Sequence, residues 1–362
     1  MKQVRFRALV FLVGGLLVLT WGTSDAWAQK KAKPKYLYKF ATLAPEGTVW
    51  MNVMRAVSDH VQEKSGGEFF TRFYSGGVMG DEPDVVRKMR LGQLDGSGVS
   101  LTGVRLTCPE FQVLELPFLF GGDGMDPAQA YREAEHVLRK LYNEFDQYAE
   151  KQGYRILALG SAGFAHICSA RPLEQMLRDL PQQRFWQWEG ETVMKAISDS
   201  LSVPTISLPL PDTLTALQTR MINAFYGTPI HVLAFQWNRY IEYIYEPPVF
   251  YTPSYVVVTE RAWARTPQHI RDLFFDETAT KIKFEALRMI HEDDRKSLDI
   301  LREQGVQVRQ IPPDQLKEIK ERTRKVWTHL AGSSFPAELL EKVERVLADY
   351  RAGQGDGASP AP

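Results

Sequence analysis

Strand-like and helix-like segments alternate at short intervals from residue 36 onward, and this alternation narrows the folds open to the chain more than any other feature. Tyr36–Ala41 reads as a strand, Leu43-Ala44-Pro45-Glu46-Gly47 as a turn, and Thr48–Lys64 as a helix. Phe69–Tyr74 is a second strand, Gly76-Gly77 a break, Glu82–Leu91 a second helix and Leu94–Ser100 a third strand. This spacing predicts βαβ units on a largely parallel sheet. A second set begins with the apolar strand Tyr154–Gly160, continues through Phe164–Ser169 and Arg184–Trp188, and adds a helix at Glu191–Ser200. Pro204–Leu208 is extended, Thr213–Thr219 a short helix and Met221–Tyr226 a strand. β character returns at Tyr255–Thr259, and helical periodicity dominates Pro267–Gln304 and Pro313–Leu330. In Leu339–Tyr350, the apolar positions Leu339, Leu340, Val343, Val346 and Leu347 form a stripe expected to pack on the body.

The expected architecture is α/β, with two α/β lobes around a ligand cleft and long C-terminal helices bracing both lobes. Ligands of such sheets bind where strand ends face a crevice. Residues 36–161 are assigned to lobe I, 162–243 to lobe II, 244–265 to return strands reaching lobe I, and 266–350 to helices packing across both. Residues 351–362, rich in Gly, Ala and Pro, are expected to be a disordered tail.

The N-terminus fixes the compartment. Lys2, Arg5 and Arg7 precede an apolar run from Ala8 to Trp21, and Ala26-Trp27-Ala28 supplies a small-x-small site. This is a secretory signal peptide over 1–28, with cleavage expected after Ala28 and a basic linker over 29–35. No cysteine lies near the site, so a freely diffusing periplasmic protein is expected rather than a lipoprotein. The mature chain of about 330 residues exceeds what one compact core usually reaches, in keeping with two lobes. Lys+Arg and Asp+Glu balance at 44 each, which excludes recognition of nucleic acid through bulk charge. Cys108 and Cys168 could pair in an oxidising compartment, but two buried thiols is the simpler reading.

Catalytic signatures fail on inspection. Leu159-Gly160-Ser161-Ala162-Gly163 approaches a nucleophile elbow but has Leu where Gly is needed. Gly76-Gly77-Val78-Met79-Gly80 lacks the Lys-Ser or Lys-Thr of a phosphate-binding loop and reads as a turn. The seven histidines are scattered without metal-ligand spacing, and His291-Glu292-Asp293-Asp294 reads as a solvated helix face. No enzyme activity, cofactor or metal is expected.

Three ordered blocks carry a family resemblance. The first is Lys39-Phe40-Ala41-Thr42-Leu43-Ala44-Pro45-Glu46-Gly47-Thr48. The second comprises Gly76-Gly77-Val78-Met79-Gly80-Asp81, Val86-Arg87-Lys88-Met89-Arg90-Leu91-Gly92-Gln93-Leu94-Asp95 and Leu116-Pro117-Phe118-Leu119-Phe120. The third is Leu214-Thr215-Ala216-Leu217-Gln218-Thr219-Arg220-Met221-Ile222-Asn223. Together they resemble the DctP-type substrate-binding subunits of TRAP transporters. The resemblance implies a periplasmic solute-binding protein fold that closes on a small molecule and docks to a small and a large membrane subunit.

The chain departs from the family where ligand is gripped. Members resembling Asp-Leu-Lys-Gly-Leu-Lys-Ile-Arg-Val hold a ligand carboxylate with the arginine; here the stretch is Asp179-Leu180-Pro181-Gln182-Gln183-Arg184-Phe185-Trp186-Gln187, and Trp186 stands in the arginine's place. Arg184 lies two residues earlier and is a weak substitute. A second basic group, expected after Gly163-Phe164, is replaced by Ala165 and His166, and an Asn-Pro pair by Thr228-Pro229. An indole offers one neutral donor where a guanidinium offers two charge-assisted ones, so a small dicarboxylate is disfavoured.

Trp186 and Trp188, which share a strand face, with Phe164, Phe225, Tyr226 and Thr228, are therefore the expected ligand contacts from lobe II. The family pattern adds Leu43, Trp50 and Ser100 from lobe I. Glu189 either helps an aromatic cage hold a cationic ligand or caps the helix that follows. The expected function is capture of a largely apolar or weakly polar molecule, possessing at most one carboxylate, for a TRAP transporter. A receptor that reports its ligand to a signalling partner is the alternative.

Overall fold

The computed structural model describes residues 34–121 and 127–353. The expected signal peptide, most of the linker and residues 354–362 of the expected tail lie outside the described residues. The helix reaching that tail continues through Arg351.

The strands are β1 (Tyr36–Ala41), β2 (Phe69–Tyr74), β3 (Gly96–Ser100), β4 (Tyr154–Ser169), β5 (Phe185–Trp188), β6 (Thr205–Leu208), β7 (Ala224–Gly227), β8 (Tyr243–Thr259) and β9 (Gln307–Gln310). They form one sheet in the order β2-β1-β3-β8-β4-β7-β5-β6, with β9 joined to β8. The β1–β2, β1–β3, β5–β6 and β5–β7 pairs are parallel, as βαβ spacing predicts. The middle of the sheet differs from that expectation: β3–β8, β4–β8 and β4–β7 are antiparallel. Two long strands thus run side by side through the centre and join one parallel group to the other.

Of the 17-residue strand β8, the sequence delimited only Tyr255–Thr259 as a strand, within return strands expected over 244–265. Pro247, Pro248 and Pro253 interrupt its pattern, and a proline removes a ladder donor. The structure accommodates this with irregular register between β4 and β8, at Ile156/Ala158, Ser161/Phe164 and Ala165/Ile167.

Helices cover the sheet with periodic apolar faces. Val49–Lys64 buries Met51, Met54, Val57 and Val61, and its N-cap Thr48 accepts from the Met51 amide at 3.4 Å. The helical stretch expected from Pro267 to Gln304 is divided into Gln268–Leu273 and Glu277–Glu303, the second capped by Asp276, which accepts from Ala279 N at 2.8 Å. Glu277–Glu303 packs on Val49–Lys64, on β4 and on the short helix Pro229–Ala234. Pro313–Leu330 packs on the helix Thr192–Ser200, and Ala337–Arg351 on Pro127–Lys140.

The solvated-face reading of His291–Asp294 is corrected here. Asp294 is 5% exposed; it accepts from Tyr131 Oη and from the Ile230 amide at 3.3 Å. Gly163 has φ +94°, and a Cβ there would meet the Asp294 carboxyl at 2.6 Å, so the bulged stretch of β4 leaves a notch that the carboxyl fills. Burial pushes the Asp294 carboxyl up to about 7, against the opposing effect of the Tyr131 hydrogen bond. Cys108 and Cys168 are buried free thiols.

Candidate ligand-binding cleft

The cleft is built where β1, β3, β4 and β8 meet the helices that carry Trp50, His231 and Ile290. It holds about 720 Å³ of space, including its solvent-open mouth. Its floor follows from strand register. Ser254 of β8 pairs with Ser100 of β3 on one side and with Gly160 of β4 on the other. Directly opposed residues of neighbouring strands project to the same face. Gly160 is the required residue in that row, because a Cβ there would lie 2.2 Å from Trp50 Cη2. The Trp50 ring therefore rests on bare backbone and stands beside the two serines as a wall.

Leu43 and Ala44 from the turn after β1 continue the wall, Trp188 and Leu210 close the far side, and Ile230, His231, Ala234, Phe235 and Ile290 face them. No lysine or arginine is among these lining residues. The two titratable groups that line the cleft are both held neutral near pH 7. Burial pushes Glu82 up to about 8, although Ser100 N, Ser100 Oγ and Gly103 N all donate to it. Burial lowers His231 to about 4, and its ring makes no hydrogen bond among the described residues.

Of the residues expected from sequence, Leu43, Trp50, Ser100 and Trp188 line this cleft. Trp186 and Trp188 do share a face, with ring centroids 6.4 Å apart, but Trp186 lies behind Trp188 against Trp237 at 5.5 Å. Neither indole N–H is free: Trp186 Nε1 donates to Leu208 O at 3.1 Å and Trp188 Nε1 to Asp81 Oδ2 at 2.9 Å. Phe164 packs on Phe120, Tyr131 and Tyr251. Phe225 packs on Trp237, and Tyr226 on Phe185 and Phe250. These three rings are away from the cleft lining. Thr228 uses its hydroxyl as the N-cap of Pro229–Ala234, accepting from His231 N at 3.3 Å.

Glu189 is exposed, and it is not the cap of the following helix; Glu191 is, accepting from Val193 N at 2.9 Å. Arg184 is exposed and donates to Arg220 O at 2.8 Å, away from the cleft. The sequence reading missed Glu82, His231, Phe235, Ser254 and Ile290, since each reaches the cleft only through tertiary packing. Glu82 alone had a local signal, because it directly follows the Gly80-Asp81 turn of the second block.

Asp81 ties the two sides of the cleft together. It caps the helix Glu82–Arg90 through Glu82 N at 2.8 Å, while its other oxygen accepts from Trp188 Nε1 and, at 3.3 Å, from Leu210 N. The Gly80–Asp81 turn thereby meets β5 and the segment after β6 across the cleft rim.

Among the described residues, one nine-stranded α/β sheet carries an open cleft between its parallel groups, the architecture of a binding protein. The sequence matches the DctP family, bacterial extracellular solute-binding protein family 7, over residues 40–333, and the chain belongs to that family. A solute-binding protein of Verminephrobacter eiseniae is 21% identical over 280 residues, covering 74% of this chain and 81% of its own. The fold matches a TRAP periplasmic solute-binding protein of Haemophilus influenzae with bound L-gulonate (TM-score 0.77, 18% identity, 86% of this chain and 99% of that one). It also matches an extracytoplasmic solute receptor of Bordetella pertussis binding pyroglutamic acid (TM-score 0.76, 19% identity, 86% and 99%). Among the described residues no helix is long and apolar enough to cross a membrane.

Proposed function

We propose that this protein is the extracytoplasmic receptor of a TRAP-type secondary transporter, exported by a signal peptide cleaved after Ala28, and that it carries an uncharged, largely apolar or weakly polar molecule. It hands this ligand to the transporter's small and large membrane subunits and performs no chemistry on it. The observation that carries the ligand reading is a cleft whose lining, among the described residues, contains no lysine or arginine. An ionised carboxylate buried there without a counter-charge would cost several kcal/mol. The structural relatives holding L-gulonate and pyroglutamic acid bind acids; the departure at Trp186, where the family places its arginine, supports a different ligand class here.

Mass spectrometry of the small molecule released on denaturing the mature protein tests this. An apolar or aromatic neutral compound is expected; a dicarboxylate would sink the ligand reading and send the search back to Arg184 or another base. Neighbouring genes separate transport from signalling. Adjacent TRAP membrane subunits support delivery, and an adjacent sensor kinase without them supports a reporter.

A further inference from the structure

The cleft's polar groups are not equivalent. Ser100 Oγ donates to Glu82 at 3.0 Å. Ser161 Oγ accepts from Gly163 N at 2.8 Å and donates to Thr252 O at 3.4 Å. Glu82 accepts from three donors of Ser100 and Gly103. Among the described residues, the Ser254 hydroxyl and the His231 imidazole make no hydrogen bond, nor does the Trp50 indole N–H. Ser254 is 1% exposed and its Oγ has no partner. His231 is half-buried and packs at a tilt against Phe235, with ring centroids 5.6 Å apart, and its ring nitrogens make no hydrogen bond among the described residues. Buried polar groups in native proteins are nearly always paired, so the Ser254 hydroxyl calls for a partner that binds there, and the half-buried His231 ring is open to the same partner. Both residues line the same cleft, Ser254 at the centre of its floor and His231 on the facing helix.

We propose that Ser254 and His231 are the specificity pair of the cleft, recognising one uncharged hydrogen-bonding group, a carbonyl or a hydroxyl, on a flat apolar ligand packed beside Trp50 and Phe235. This rests on the neutral-ligand reading above and names the feature by which that ligand is read. A hydroxyl and a neutral imidazole each offer a donor and an acceptor, so together they complement either group. Burial holds the imidazole neutral, which removes the charge that would otherwise favour an anion. A site that leaves polar groups unpaired discriminates strongly against a ligand unable to pair them.

The test is calorimetric titration of the mature protein, freed of any co-purified ligand, with benzamide, its anionic analogue benzoate and toluene, which lacks the polar group. Benzamide is expected to bind saturably in the millimolar range or better and more tightly than the other two. Ser254→Ala and His231→Phe should each weaken benzamide about three- to tenfold, the loss of one hydrogen bond, while toluene, which leaves those groups unpaired in the parent, should bind more tightly to both variants. Ser254→Ala removes an unpartnered hydroxyl, so its melting temperature should equal or exceed that of the parent, which separates a recognition role from a structural one. Unchanged benzamide affinity in both variants, or no saturable benzamide binding, overturns the pair while the neutral cleft stands. Benzoate binding most tightly overturns the neutral cleft itself.

Discussion

Replacing Asp81 with Ala should destabilise the protein by about 3 kcal/mol or more, and the figure follows from the three hydrogen bonds the side chain accepts. Loss of an N-cap costs about 1 kcal/mol. Each donor left buried without an acceptor, here Trp188 Nε1–H and the Leu210 amide, costs about 1–3 kcal/mol. Asp81 is 9% exposed and Trp188 2%, so water cannot readily replace the carboxylate. Asp81→Asn keeps a cap oxygen and should lose less. Urea unfolding of the mature protein, followed by circular dichroism, gives the stabilities. A double-mutant cycle with Trp188→Phe isolates the cross-cleft bond, with an expected coupling of about 1 kcal/mol. A loss below about 1 kcal/mol in Asp81→Ala, or zero coupling in the cycle, would show that the carboxylate does not hold the cleft rim together.

Two further predictions concern the same framework. Gly160→Ala should destabilise by about 1–3 kcal/mol, because its Cβ would enter the Trp50 ring, and adding Trp50→Leu should recover most of that loss in the same unfolding assay; an additive double mutant would refute the contact. Asp294 titrates near 7 when folded and near 3.9 when unfolded, so the folded state favours its protonated form. Its contribution to stability is complete below about pH 3.9, falls as pH rises through about 7 and is flat above. Asp294→Asn should flatten the fall between those limits, by at most about 4 kcal/mol, while Glu82, raised in the same direction to about 8, keeps a slope at higher pH. An unchanged stability profile in Asp294→Asn would contradict the burial argument.

The alternating pattern determined the α/β class, the parallel outer groups and the positions of most helices, because side-chain periodicity reports on burial of one face wherever an element lies on a core. The resemblance to the family's pattern, rather than periodicity, pointed to Leu43, Trp50 and Ser100 as cleft residues. Periodicity could not place Trp186 in front of or behind Trp188: alternation fixes the face of a strand, not what stands between that face and the solvent. Nor could it foresee that Asp294, on a helix read as solvated, is buried in the notch left by Gly163, or that the return strands expected over 244–265 form one strand, β8, running through three prolines. Those outcomes depend on neighbours distant in sequence. The row Ser100–Ser254–Gly160 brings together residues from three strands, and His231 joins it from a fourth element. Only the register of the folded sheet decides which of them meet, because a slip of one residue would turn every side chain to the opposite face.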